Sequence, residues 1–173
     1  MGITRKEPFV SNVKQPVREL KTLFCAGKAK PRLAFHYVQG EWSYYEVMQP
    51  ATVRQALHVA LERIESELPG ALAKAVAIDD ANWSAGKTRK RRYIATRADE
   101  IYPNSPHLTA GHVESVCGYY VLTNTSWAGI CAIFEVICAG AGIAYAPVDA
   151  LAARRLPKAT APARKRTVAP RTK

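Results

Sequence analysis

The sequence predicts an α+β fold, an antiparallel β-sheet packed with two main helices and followed by a disordered basic C-terminal tail. Three features carry this expectation. Two short runs rich in aromatic and β-branched residues flank a glycine near position 40, and apolar residues recur at spacings of three and four across 53–68. From position 157 the sequence PKATAPARKRTVAPRTK offers only Val168 as a sizeable side chain to bury. Such a segment does not offset the entropy of ordering.

The chain has 173 residues and is 48% hydrophobic, enough for one domain with a real core. The composition divides it into an irregular N-terminal arm at 1–31, a globular α+β domain at 32–156 and the tail at 157–173. Pro8, Pro16 and Pro31 punctuate the arm, which leaves room for at most a short helix over 17–24. The runs LAFHYV at 33–38 and WSYYEV at 42–47 then read as a β-hairpin turned through Gln39-Gly40-Glu41.

After Pro50, Thr52 and Gln55 have the spacing of a capping box, and Val53, Leu57, Leu61, Ile64 and Leu68 form one helical stripe. Pro69-Gly70 ends it, with a helical turn or two expected over 71–78. Asp79-Asp80-Ala81-Asn82 reads as a turn. A strand is expected at 93–96, a loop at 102–106, and further strand at 113–116 and 119–123 with a break at Gly118. The run from Trp127 to Ala146 contains one charge, Glu135, and three glycines, Gly129, Gly140 and Gly142. Its length approaches a bilayer span, but a central charge costs about 2.5 to 3.5 kcal/mol on insertion scales. The run therefore reads as a buried helix over 126–138 capped by Ser126 or Thr125, then a glycine turn and an apolar element at 143–145, with no membrane segment. A last short helix is expected over 147–156.

The net charge of +11 is unevenly placed. From Arg154 onward there are eight Lys or Arg and no acid; the 17 basic residues before it face all 14 acidic ones, so the body is only about +3. Within the body, Lys87, Arg89, Lys90, Arg91, Arg92 and Arg97 stand in eleven residues without a carboxylate. Clusters of this kind neutralise phosphates, releasing counterions and giving affinity that does not depend on sequence. The nucleic-acid-contacting candidates are these six and Arg164, Lys165 and Arg166 of the tail, with Tyr44, Tyr45 and Tyr93 as possible stacking residues. Among the aromatics Phe35, Tyr37, Trp42, Tyr44 and Tyr45, the consecutive Tyr44 and Tyr45 must point to opposite faces of a strand.

No spacing specifies a reaction. Ser84-Ala85-Gly86-Lys87-Thr88 ends like a phosphate-binding loop, but the pattern needs glycine at position 81, which is Ala81. Asp79 and Asp80, with Glu100 or Glu114, are the carboxylates from which a metal-dependent nuclease would have to be built. His36, His58, His107 and His112 are scattered. Cys25, Cys117, Cys131 and Cys138 contain no CxxC pair and no histidine at zinc-ligand spacing, so no metal or other cofactor is expected and the thiols read as reduced, mostly core residues. The opening MGITRKEPF lacks the apolar stretch of a signal peptide, and Lys6 stands where a myristoylation pattern needs Ser or Thr. The expectation is a cytoplasmic, non-enzymatic accessory or regulatory protein that binds DNA or RNA through a basic loop and a cationic tail. The alternatives are a structural or interaction protein with an acidic protein partner and, ranked below it, a metal-dependent nuclease.

Overall fold

The structure, a computed structural model, describes residues 16–23, 30–85 and 90–148. They form an α+β fold of two sheets and three main helices, one more helix than the sequence suggests. The basic tail at 157–173 lies outside the described residues.

The first strand, β1 (Glu19–Leu23), corrects the expectation of a helix over 17–24 within an irregular arm. Its alternation is only five residues long and is hidden among lysines and prolines, yet Leu20 and Thr22 are fully buried while Glu19 and Lys21 stay partly exposed. Val17 is already in the core, so the folded body begins well before residue 32. Strands β2 (Arg32–Gln39) and β3 (Trp42–Met48) form the expected hairpin, with Phe35 opposite Glu46 and Tyr37 opposite Tyr44. β1 pairs antiparallel with β2 and parallel with β7 (Ala144–Val148), giving the order β3-β2-β1-β7. The parallel pair departs from the purely antiparallel sheet that was expected. Pro147 and Val148 belong to β7, where the sequence suggests the start of a last helix.

Helix α1 (Val53–Glu67) starts as expected at Thr52, whose Oγ1 accepts from the Gln55 amide at 3.1 Å. The Gln55 side chain returns to the amide of Ala51 at 2.7 Å, one residue earlier than a capping box requires. Helix α2 (Ala71–Ser84) is the main correction. Asp79, Asp80, Ala81 and Asn82 are helical and do not form a turn. The first turn of α2 is capped from outside by Glu65, whose carboxylate accepts from the amides of Gly70 (2.8 Å) and Leu72 (2.9 Å).

A second, antiparallel sheet has the order β4-β6-β5, from β4 (Ile94–Ala95), β5 (Val113–Val116) and β6 (Tyr119–Leu122); a single-turn helix, α3 (Ala98–Ile101), follows β4. The β5–β6 turn places both Cys117 (φ 51°) and Gly118 (φ 82°) in the left-handed region, as tight hairpin turns of the primed type demand. Cys117 is therefore an exposed turn residue, in contrast with the core position expected of it. Cys138 is buried, and that burial pushes its thiol up to about 12.

Helix α4 (Trp127–Ala141) begins where the sequence places it, with Ser126 Oγ accepting from the Gly129 amide at 3.3 Å, and ends at Gly142 in the left-handed conformation. It runs past Cys138 because Gly140 lets it approach α2 closely: a Cβ there would lie 2.6 Å from the Ala71 carbonyl oxygen and the Ala75 nitrogen. Ile130, Ile133, Phe134 and Ile137 join Leu20, Leu33 and Phe35 of the first sheet, Leu57, Leu61 and Ile64 of α1, Leu72 of α2, and Ile94, Val121 and Leu122 of the second sheet in one core. No helix among the described residues is long and apolar enough to cross a membrane. Glu135 is exposed, at the wet edge of α4.

Candidate nucleic-acid interface

The basic stretch returns to the described chain at Lys90, immediately before β4, and is fastened there by the carboxyl half of α2. Asp79, buried on the inner face of that helix, accepts through Oδ2 from the Tyr93 amide at 2.7 Å and, at 3.4 Å, from the Ile94 amide. An aspartate in a helix interior normally competes with its own backbone. Here its acceptor capacity is turned outward to a neighbouring strand, which is why a run that resembles a turn stays helical. The Arg92 amide donates to the Ile101 carbonyl (3.0 Å) and the Leu122 amide to the Tyr93 carbonyl (2.9 Å), so the segment is held from both sides.

The cations then take separate paths. Arg92 pairs with Asp80 at 2.5 Å and lies over the Trp83 ring, 5.8 Å from its centroid. Arg91 donates to the Asn124 carbonyl oxygen (2.9 Å) and the Thr125 hydroxyl (3.4 Å), neither of which cancels its charge. Lys90 is exposed. Lys90, Arg91 and Tyr93 line a cleft of about 300 Å³ whose other wall is Thr125, Ser126, Ala128 and Gly129, the amino-terminal turn of α4. That turn contains no acidic residue. The positive end of a fifteen-residue helix and two cations thus face one space.

Arg97 does not join them. Its guanidinium binds Asp99 in two places, at 3.1 and 2.6 Å, and its amide donates to Glu100. The hydrogen bonds to Asp99 raise the Arg97 pKa, and those from Arg97 lower the Asp99 pKa, a mutually neutralised pair on the surface. Lys87, Arg89, Arg164, Lys165 and Arg166 lie outside the described residues. Of the stacking candidates, Tyr93 borders the cleft, whereas Tyr44 and Tyr45 belong to the first sheet. As the strand alternation requires, they point to opposite faces. Tyr44 stacks on Tyr37 (5.1 Å between centroids), and Tyr45 stacks on His36 (4.5 Å) beneath the Lys21 ammonium.

The nuclease carboxylates are engaged elsewhere. Asp79 and Asp80 hold the basic segment, Glu100 caps α3 and binds Thr96, and Glu114 pairs with Arg54 at 2.7 Å and His58 at 3.3 Å. Among the described residues no group of three or more His, Cys, Asp or Glu side chains is placed to hold a metal ion. A second cleft, of about 350 Å³, runs beside the first between α2 and α4; Ile78, Asn82, Val136 and Glu135 are on its walls and Tyr93 is shared.

Sequence reasoning missed Thr125, Ser126 and Gly129 as part of this site. The cap was legible, but its place beside Lys90 and Arg91 follows from β4–β6 pairing, which juxtaposes segments thirty residues apart in a way no local pattern records. No protein-family model matches the chain, and comparison with curated proteins gives no match.

Proposed function

We propose that the protein is a non-enzymatic accessory or regulatory factor that binds nucleic acid through its phosphates, with Lys90, Arg91 and the amino terminus of α4 as the folded part of the contact surface. The observation that carries this reading is the shared cleft, in which two uncompensated cations and a carboxylate-free helix start converge. The six cations of 157–173 add sequence-independent attraction, as do Arg89 and Lys87 just before Lys90.

The test is a salt titration of binding to duplex DNA, single-stranded DNA and RNA by the whole chain and by Lys90→Gln/Arg91→Gln. Each phosphate contact removed should flatten the log–log salt dependence by roughly 0.9 on duplex DNA and 0.7 on single strands. Arg97→Gln serves as the internal control, because Asp99 already neutralises that side chain, and it should leave the slope unchanged. An equal slope in the double variant and the parent would remove the cleft from the binding surface. Equal flattening per charge removed in the double variant and in Arg97→Gln would reduce the effect to net charge.

A further inference from the structure

The cleft between α2 and α4 carries a chemistry that phosphate binding does not use. α4 meets the start of α2 at Gly140, which lies against Ala71 and Ala75. Toward the carboxyl end of α2 the same two helices flank a space of about 350 Å³, within the range of roughly 300 to 1,000 Å³ usual for small-molecule sites. Ile78, Ala132, Val136 and Ala139 give it apolar walls, and Asn82 and Glu135 are its polar side chains. Neither of these two is hydrogen-bonded or ion-paired through its side chain to another described residue. Asn82 is half-buried and Glu135 exposed.

This space continues the basic cleft. Ala128 and Gly129 of the basic cleft and Ala132, Glu135, Val136 and Ala139 of the second recur at spacings of three and four, so both clefts lie along one face of α4. Tyr93 lines both and marks the boundary. Its backbone is fixed there, because its amide donates to Asp79 at 2.7 Å and its carbonyl accepts from the Leu122 amide at 2.9 Å. Glu135 stands six residues beyond Gly129, about 9 Å along the helix axis. That is comparable with the reach from the 5′-phosphate of a nucleotide to the far edge of its base.

The path has opposite charge at its two ends. Lys90, Arg91 and the carboxylate-free start of α4 stand at one, and Glu135 stands at the other. A ligand that suits both offers an anion to the first, N–H donors to the second, and a flat apolar body to the walls beside Tyr93. An unpaired guanosine nucleotide has these three parts. A carboxylate only accepts, and the Watson–Crick edge of guanine presents two adjacent donors to it, N1–H and the N2 amine. Adenine and cytosine set a single amine beside an acceptor nitrogen on that edge, and thymine sets one N–H between two carbonyls. In a duplex the edge is already paired. We infer that the second cleft takes an unpaired guanine of a single strand whose phosphate lies in the basic cleft, with Glu135 accepting from its N1–H and N2 amine, Asn82 donating to its O6 and Tyr93 beside the ring. The inference rests on the nucleic-acid reading above and adds to it a base preference, which phosphate contacts alone do not confer.

Fluorescence anisotropy on the full chain at fixed salt tests it, with short oligo-dT strands that carry one central dG, dA or deoxyinosine, the last lacking the N2 amine. The dG strand should bind roughly five- to a hundredfold tighter than the dA strand, with deoxyinosine between them. Glu135→Gln, a change at an exposed position, should leave binding to plain oligo-dT no weaker and bring the dG and dA affinities together. Lys90→Gln/Arg91→Gln should weaken binding to all three strands and preserve their ratio. Equal affinity of the parent for dG and dA, with binding still weakened in Lys90→Gln/Arg91→Gln, overturns the guanine site and leaves the phosphate reading standing. Absence of salt-dependent binding to any strand defeats both. A Glu135→Gln variant that keeps the full dG preference overturns the site as assigned, and free GMP that binds as tightly as the dG strand overturns the assignment to a strand.

Discussion

Gly140→Ala separates two opposed effects whose sizes the structure fixes. Alanine is favoured over glycine in a helix interior by about 1 kcal/mol, so local propensity alone predicts stabilisation of α4. The new methyl group would, however, sit 2.6 Å from the Ala71 carbonyl oxygen, 2.6 Å from the Ala75 nitrogen and 2.9 Å from its Cα. All three are backbone atoms, so no rotamer change relieves the overlap. Restoring contact distances of about 3.5 Å means moving α2 away from α4 by roughly 1 Å. The amino terminus of α2 is held by two Glu65 hydrogen bonds and its carboxyl half by Asp79 and Asp80, so the helix does not slide freely. Overpacking a rigid contact costs about 3 kcal/mol at the upper end of the usual range. The balance is a loss of about 2 kcal/mol, with a fall in Tm of roughly 4 to 8 °C for a chain of this size. Urea denaturation should show a lower midpoint at an unchanged slope. A midpoint equal to or above that of the parent would mean that the α2–α4 approach is looser than argued, and that helix propensity governs the position.

Two further substitutions probe the elements that hold the cleft. Asp79→Ala withdraws the acceptor from the Tyr93 and Ile94 amides and should cost roughly 1 to 3 kcal/mol, with faster hydrogen exchange at those two amides, whereas Asp79→Asn keeps an acceptor and should cost less. Phe134→Ala, at a fully buried site, should cost about 3 to 5 kcal/mol in chemical denaturation, while its exposed neighbour Glu135→Gln should change stability by less than about 0.5 kcal/mol.

The parts of the fold legible in the sequence are those whose signal is local. The 33–47 hairpin, the Thr52 cap, the Leu57–Leu61–Ile64 stripe and the Ser126 start of α4 each depend on residues within a turn or two of one another, and each stands where the pattern put it. β1 and the second half of α2 do not have that property. A five-residue strand flanked by Lys and Pro acquires its identity only by being sandwiched between β2 and β7. Asp79-Asp80 resembles a turn until the amides of Tyr93 and Ile94 and the guanidinium of Arg92 arrive from another segment to engage the carboxylates. Gly140 gives the same lesson in reverse. A glycine in an apolar run reads as an interruption, but against the backbone of α2 it is what allows the helix to continue.

The same distinction decides how much of the charge in residues 87–97 is available to a polyanion. Counted along the sequence, six cations stand within eleven residues; resolved in space, their described members divide into two groups. Arg92 is balanced by Asp80 and Arg97 by Asp99, so to contact a phosphate either guanidinium must first give up a carboxylate, and the exchange yields little net attraction. Arg91 is held by a carbonyl and a hydroxyl, which orient the guanidinium while preserving its charge, and Lys90 is exposed. On the described residues, then, only two of four cations should register as released counterions. They correspond to roughly two units of salt dependence on duplex DNA at 0.9 per contact, where the linear count of these four would give nearly four. Mutating the four singly resolves the difference: a flattening confined to Lys90 and Arg91 follows from the pairing seen in the fold, and equal flattening at all four would mean that the Asp80 and Asp99 pairs open on binding.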